Sequence, residues 1–164
     1  MRIIAIDPGN TQSGYVVVEH DGVEIRQVVE KGKVDNDALL GIIWQHRGTK
    51  LALEMVASYG MPVGAEVFET CVWIGRFMEA AIRDGGNVEL IYRREEKLYL
   101  CGTMQAKDSN IIQALVDRFA PGQPNRGKGT KKAPGFFYGF NADVWQAFAV
   151  AVAYFDKCVR GIKL

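Results

Sequence analysis

Three acidic residues occupy places from which a folded chain could bring them to one point. Asp7 ends the apolar run Ile3-Ile4-Ala5-Ile6, Glu54 interrupts the run Leu51-Ala52-Leu53 and Met55-Val56, and Asp143 opens an apolar C-terminal segment. Converging carboxylates hold hard divalent cations, which take oxygen ligands. A pair of such ions, about 3.5–4 Å apart, activates water and neutralises the charge that develops when a phosphodiester is hydrolysed. Taken singly, each residue has a plainer use. An Asp before Pro-Gly also serves a turn, and an Asp in a first helical turn also answers the helix dipole. Glu54 differs, because a carboxylate buried without a partner is costly. It requires either a salt bridge or a metal.

The elements that must position these residues follow from pattern. Residues 2–7 read as a central strand buried on both faces. Turn residues 7–14 lead to a second strand at Tyr15–Glu19, and Asp21-Gly22 to a third at about Val23–Val29. A helix is expected over 36–46, with Asp35 or Asn36 as its cap. A buried strand at 50–56 follows, then a long helix over 63–83 closed by Gly85-Gly86. The apolar residues of that helix, Val67, Cys71, Val72, Ile74, Phe77 and Met78, cover more than one core face needs, which allows either deep burial or a dimer interface. A fifth strand at 88–92, a helix over 107–119 and a last helix over about 142–158 complete the order βββαβαβαα. That order predicts a single α/β domain over 1–164, with a mixed five-stranded sheet and helices on both faces.

With 164 residues the chain can bury roughly two thirds of the surface its unfolded form exposes. No apolar run approaches the roughly 20 residues of a membrane helix, and no secretory signal is evident at the start, so a cytoplasmic location without membrane association is expected. Three distant cysteines, Cys71, Cys101 and Cys158, and two histidines argue against a disulfide framework or a zinc site, and the cysteines read as buried thiols. The net charge of +1 hides an asymmetry: the stretch Arg118–Ala142 carries +5 and the remainder −4. Within it, residues 121–139 are rich in Gly and Pro and lack periodicity, which reads as a flexible basic loop.

Ile4-Ala5-Ile6-Asp7-Pro8-Gly9, followed by Ser13-Gly14-Tyr15, resembles the opening of the RuvC-type Holliday junction resolvases of the RNase H-like superfamily. Ala52-Leu53-Glu54-Met55-Val56 is similar to the strand that carries their catalytic Glu. Residues 141–151, with Asp143 and the small and apolar run Ala147-Phe148-Ala149-Val150-Ala151, resemble their final helix, where a D-x-x-D pair precedes such a run. The resemblance implies a magnesium-dependent endonuclease that cuts branched DNA. It implies two magnesium ions, replaceable by manganese, held by Asp7, Glu54 and Asp143, and a homodimer, since paired nicks need two active sites. The sequence departs from this pattern at Gln146, which takes the place of the second Asp of the pair. Its carbonyl could ligate a metal but brings no charge, so either three carboxylates suffice or the activity is weakened. Were that alignment wrong, Asp108 would be the next carboxylate to consider.

Resolvases of this type also resemble one another in flanking the scissile phosphate with basic and aromatic groups. Lys107 at a helix start, Lys131 and Lys132 in the basic loop, and Tyr59 after the Glu54 strand are the candidates here. Two other readings stay open. One is a catalytically weak or inactive protein that binds branched DNA. The other is an actin-like ATP-dependent phosphotransferase, whose first phosphate turn Asp7-Pro8-Gly9-Asn10-Thr11 also resembles, although such enzymes use two RNase H-like domains. If Lys131 and Lys132 contact phosphates, neutralising both will weaken binding to every DNA shape and flatten its salt dependence, because counterion release carries no shape information. Salt titrations of binding to linear and branched DNA check this, and a defect confined to branched DNA would make the loop a shape reader instead.

Overall fold

The first apolar run forms β1 (Arg2–Asp7), and the turn after it reverses the chain into β2 (Gln12–His20) and then β3 (Ile25–Asp35). In this computed structural model, which describes residues 1–164, β4 (Lys50–Met55) and β5 (Asn87–Tyr92) complete one sheet of order β3-β2-β1-β4-β5. The β1–β2 and β2–β3 pairs are antiparallel, while β1–β4 and β4–β5 are parallel. Five helices accompany the sheet: α1 (Asn36–Gln45), α2 (Ala65–Arg83), α3 (Arg93–Cys101), α4 (Asp108–Phe119) and α5 (Ala142–Tyr154), the last running into a π-helical turn at Phe155–Val159.

Alternation along the strands divides the core in two. Ile4, Ile6, Tyr15, Val17, Leu51 and Leu53 face α1 and α2. Ile3, Ala5, Val16, Val18, Ala52 and Ile91 face α5, with α3 and α4 packed beyond. By the same alternation Asp7 and Glu54 lie on the α5 side, since they continue the positions of Ala5 and Ala52. Ala147, Ala149, Ala151 and Ala153 are fully buried, and their small side chains allow α5 a close seat on the sheet.

The expected mixed five-stranded sheet with helices on both faces is therefore present. Three local expectations need correction. The order omitted α3, whose sequence Arg93-Arg94-Glu95-Glu96-Lys97 is too charged to register as an amphipathic helix. Its signals were the ends: Glu95 accepts a hydrogen bond from the Tyr92 backbone N–H at 2.8 Å, and Gly102 closes the helix in the left-handed conformation. β3 runs to Asp35 rather than to Val29, because it is an edge strand with one solvated face and so carries Lys31 and Lys33 without penalty. None of the thiols is fully buried, since Cys71 and Cys101 are half-buried and Cys158 is exposed.

The basic segment 121–139 is tied to the core. The Phe137 N–H donates to the Gly127 carbonyl at 2.8 Å, the Gly135 N–H to the Lys128 carbonyl at 3.0 Å, and Gly129 bridges to Pro134. Phe137 is fully buried among Phe140, Trp145 and Phe148. Lys131 and Lys132 stand exposed on the intervening turn. Arg118 does not join them, because its guanidinium is engaged by the buried Asp156 at 2.7 and 2.9 Å. No helix is long and apolar enough to cross a membrane.

Gly14 decides how near α5 can come. A Cβ there would lie 2.5 Å from the Asp143 carbonyl oxygen and 2.9 Å from the Asp143 Cβ, both at the start of the helix. Gly14→Ala will accordingly push the start of α5 outward and cost about 1–3 kcal/mol of stability, as overpacking does. Gly41→Ala, at an α1 position where a Cβ would meet nothing within 4 Å, will gain about 0.5–1 kcal/mol from helix propensity. Paired urea denaturation curves check both signs.

Candidate active site

The site lies beyond the C-terminal ends of the parallel strands, where open α/β sheets leave a crevice. Ile6 pairs with Leu53, so Asp7 and Glu54 emerge side by side from β1 and β4. Met55 pairs with Tyr92 at the end of β5, and α3 starts at the next residue, Arg93. Asp143 enters from above, in the first turn of α5, where the Asn141 side chain accepts the Val144 N–H at 3.1 Å and caps the helix. The three carboxylates read from the sequence thus approach one another from three elements.

Burial and mutual repulsion shape their chemistry. Asp7 is pushed up to about 8, first by desolvation and then by the charge of Glu54 and a side-chain hydrogen bond to it, with Asp143 adding repulsion. Glu54 is pushed up to about 7 by desolvation and by the charge of Glu96, against which the hydrogen bond from Asp7 pulls it down. At neutral pH the two hold a proton between them that a divalent cation would displace.

Two further carboxylates and one cation belong to the cluster; of these the sequence pointed only to Asp108, as the next carboxylate to consider. Glu96, on α3, is completely buried and raised to about 8, chiefly by desolvation. Its Oε2 accepts from Arg93 Nη1 at 2.5 Å, and its Oε1 has no hydrogen-bond partner. Asp108, the first residue of α4, accepts from Arg93 Nη2 at 2.5 Å and from Gln146 Nε2 at 3.4 Å. Burial alone would lower the guanidinium of Arg93, but Glu96 and Asp108 together hold it above its ordinary value. Lys33 of β3 lies 3.2 Å from Asp143. The hint available in sequence was Glu96 itself, a charged residue that continues the inward face of a short helix.

The other predicted residues differ in their relation to this centre. Gln146 faces it from α5 but turns its amide toward Asp108. Lys107 is exposed at the start of α4, where its backbone N–H donates to the Asn110 side chain at 2.8 Å. Tyr59 is 66% exposed, sits at a positive φ of 46°, and lines an open cleft with Arg93, Arg94, Lys97 and Met104. Lys131 and Lys132 remain on their own loop, with no contact to the carboxylates.

A divalent cation suits this set. Five carboxylates surround a single internal cation, and one buried carboxylate oxygen is unsatisfied. No three of the side chains close on one point as a ready-made metal cage, however. The reason is visible in the pairing: Lys33 takes Asp143, Arg93 takes Glu96 and Asp108, and Asp7 and Glu54 take each other.

These raised carboxyls make the metal-free protein sensitive to pH. A carboxyl whose folded pKa exceeds its unfolded value of about 4 binds its proton more tightly in the native state. The resulting stabilisation is complete below about pH 4 and is lost as pH rises through 7 to 8. The melting temperature in chelator should therefore fall from pH 5 to pH 8.5, and Asp7→Asn, which cannot ionise, should flatten the fall. A melting temperature that climbed over this range would mean that Asp7, Glu54 and Glu96 are ionised and well paired in the native protein.

No family model matches the sequence, and no curated protein matches it. Solved structures do. RuvC of Thermus thermophilus is similar with a TM-score of 0.70 at 20% identity, over 98% of this chain and 97% of its own. The same protein in complex with a Holliday junction substrate gives 0.70 at 18%, with the same coverage. The resolvase of fowlpox virus, in a complex with substrate Holliday junction DNA, gives 0.58 at 12%, over 96% of this chain and 98% of its own. The chain thus has the RNase H-like fold of the RuvC-type resolvases, as the resemblance of its motifs implied.

Proposed function

We propose that the protein is a divalent-metal-dependent endonuclease that resolves four-way DNA junctions, with Asp7, Glu54 and Asp143 as ligands of magnesium. The observation that carries this reading is the approach of these three carboxylates at the C-terminal edge of the sheet, in a fold shared with two kinds of junction-cutting protein. When bound, the ions would supply an activated water and neutralise the developing charge on the phosphate. The chain's own residues do the rest. Asp7 and Glu54 give up their shared proton, Arg93 stays beside them as a fixed positive charge, and Lys33 and Lys107 border the entrance, where a phosphate backbone would pass. Tyr59, exposed at the rim, offers a face for an unpaired base.

Paired nicks across a junction need two sites related by symmetry, and α2 offers a surface for a second copy. Phe68, Val72 and Ile82 remain exposed along it. The phosphotransferase alternative calls for two such domains around a nucleotide, and residues 1–164 form one sheet. A weakened or inactive binder is the reading that Gln146 keeps open, and cleavage decides it.

Incubating end-labelled four-way junction, flap and linear duplex with the protein and magnesium will yield paired, symmetrical nicks in the junction. Asp7→Asn will abolish cutting while junction binding is kept or tightened, since a negative charge facing the phosphate is removed. Binding without cleavage by the native protein would make it a recognition module, and preferential cutting of the flap would reassign its substrate.

A further inference from the structure

We propose that Asp108 supplies the fourth carboxylate of the metal centre, from the start of α4, and that Gln146 is the positioning residue that aims it. This deepens the nuclease reading and rests on it for the presence of a divalent cation. Position 146 lies one turn after Asp143 on α5 and carries a neutral amide rather than a carboxylate. The amide does not stand idle, because its Nε2 donates to Asp108 Oδ2 at 3.4 Å across the gap between α5 and α4. An Asp at 146 could make no such bond and would repel Asp108. The two positions are therefore complementary: a neutral donor on α5 meets the negative charge on α4.

Asp108 lies close enough to the centre to act on it. Its charge is felt by both Glu54 and Glu96, and it shares Arg93 with Glu96. Its side chain is 65% exposed, which leaves it free to turn toward a hydrated ion, whereas Glu96 is fixed in the core. If Asp108 exchanges Arg93 for the cation, Arg93 keeps its bond to Glu96 and remains in place. An independent sign that a ligand is wanted comes from Glu96. Its Oε1 is buried without a hydrogen-bond partner and its carboxyl feels the charges of Asp7 and Asp108, so an incoming cation would both occupy the open oxygen and offset that repulsion. The arrangement also explains how a centre with a neutral residue at 146 can still hold a full complement of charge.

The test uses Mn2+ binding to the full-length protein without DNA, read from loss of the free-ion EPR signal, with junction cleavage measured in parallel. Asp108→Asn should weaken Mn2+ binding by at least about 10-fold, since loss of a group that merely supports a ligand already costs about 10- to 100-fold. It should change the melting temperature in chelator little, because the Asn carbonyl can still accept from Arg93 and Arg93 keeps its bond to the buried Glu96. Gln146→Asp alone should not tighten binding, since it sets two carboxylates against each other. The double variant Asp108→Asn/Gln146→Asp should recover affinity to within a few-fold of the native protein, an outcome that a merely structural role for Asp108 would not produce. Native-like Mn2+ binding by Asp108→Asn, a double variant no better than the single one, or no Mn2+ binding by the native protein would each overturn the proposal. If Mn2+ binding follows the expected pattern while no branched DNA is cut, the ligand assignment stands and the nuclease reading falls.

Discussion

Like charges repel, and the edge of this sheet gathers five carboxylates around one internal cation. Two unit charges 4 Å apart interact by about 4 kcal/mol at an effective dielectric constant of 20, so such a cluster survives only where protons, guanidinium or metal offset it. The protein uses the first two. Asp7 and Glu54 share a proton, and Arg93 spans Glu96 and Asp108. The pairing keeps the cluster intact without metal, and it also makes the cluster responsive: what holds each carboxylate is what a divalent cation would replace.

The scaffold can tolerate this because the repulsion is confined to one end of the sheet. Both faces of β1 and β4 are packed, by α1 and α2 on one side and by α5 on the other, so the strand ends that carry Asp7 and Glu54 cannot drift apart. Gly14 removes the side chain that would keep Asp143 away, and the buried alanines of α5 bring the helix down onto the strands. Close packing thus converts a set of mutually repelling groups into a fixed geometry, which any site built on preorganised charge requires.

The positive groups are divided by location. Arg93 lies within the carboxylate cluster, and Lys33 meets Asp143 at its border. Lys131 and Lys132 stand exposed on a loop that is held by the aromatic packing of Phe137. Arg118, although part of the same basic stretch of sequence, is committed to Asp156 and contributes packing rather than surface charge. A charge count along the chain therefore overstates the basic face, because it does not distinguish a solvated lysine from an arginine in a buried ion pair.

The sequence by itself determined a mixed five-stranded sheet with helices on both faces and the strands that carry Asp7 and Glu54, because these rest on local features, apolar runs and the turn residues after Asp7. The approach of Asp143 was implied by the resemblance of its helix to a family pattern, and the order of the strands came from the tertiary structure. The need of Glu54 for a partner was legible from local features too, since a charge inside an apolar run has to be answered. Glu96 and Arg93 were not legible. They lie in a short helix whose composition is that of a solvated surface, and only the packing of α3 against α5 turns Glu96 into the core. Gln146 was legible as a departure but not as a partner of Asp108, a contact between residues 38 apart in sequence. Periodicity reports which face a residue takes on its own element. Which groups meet across elements, and which charges are paired, is decided by how the helices seat on the sheet, and that is a property of the tertiary structure alone.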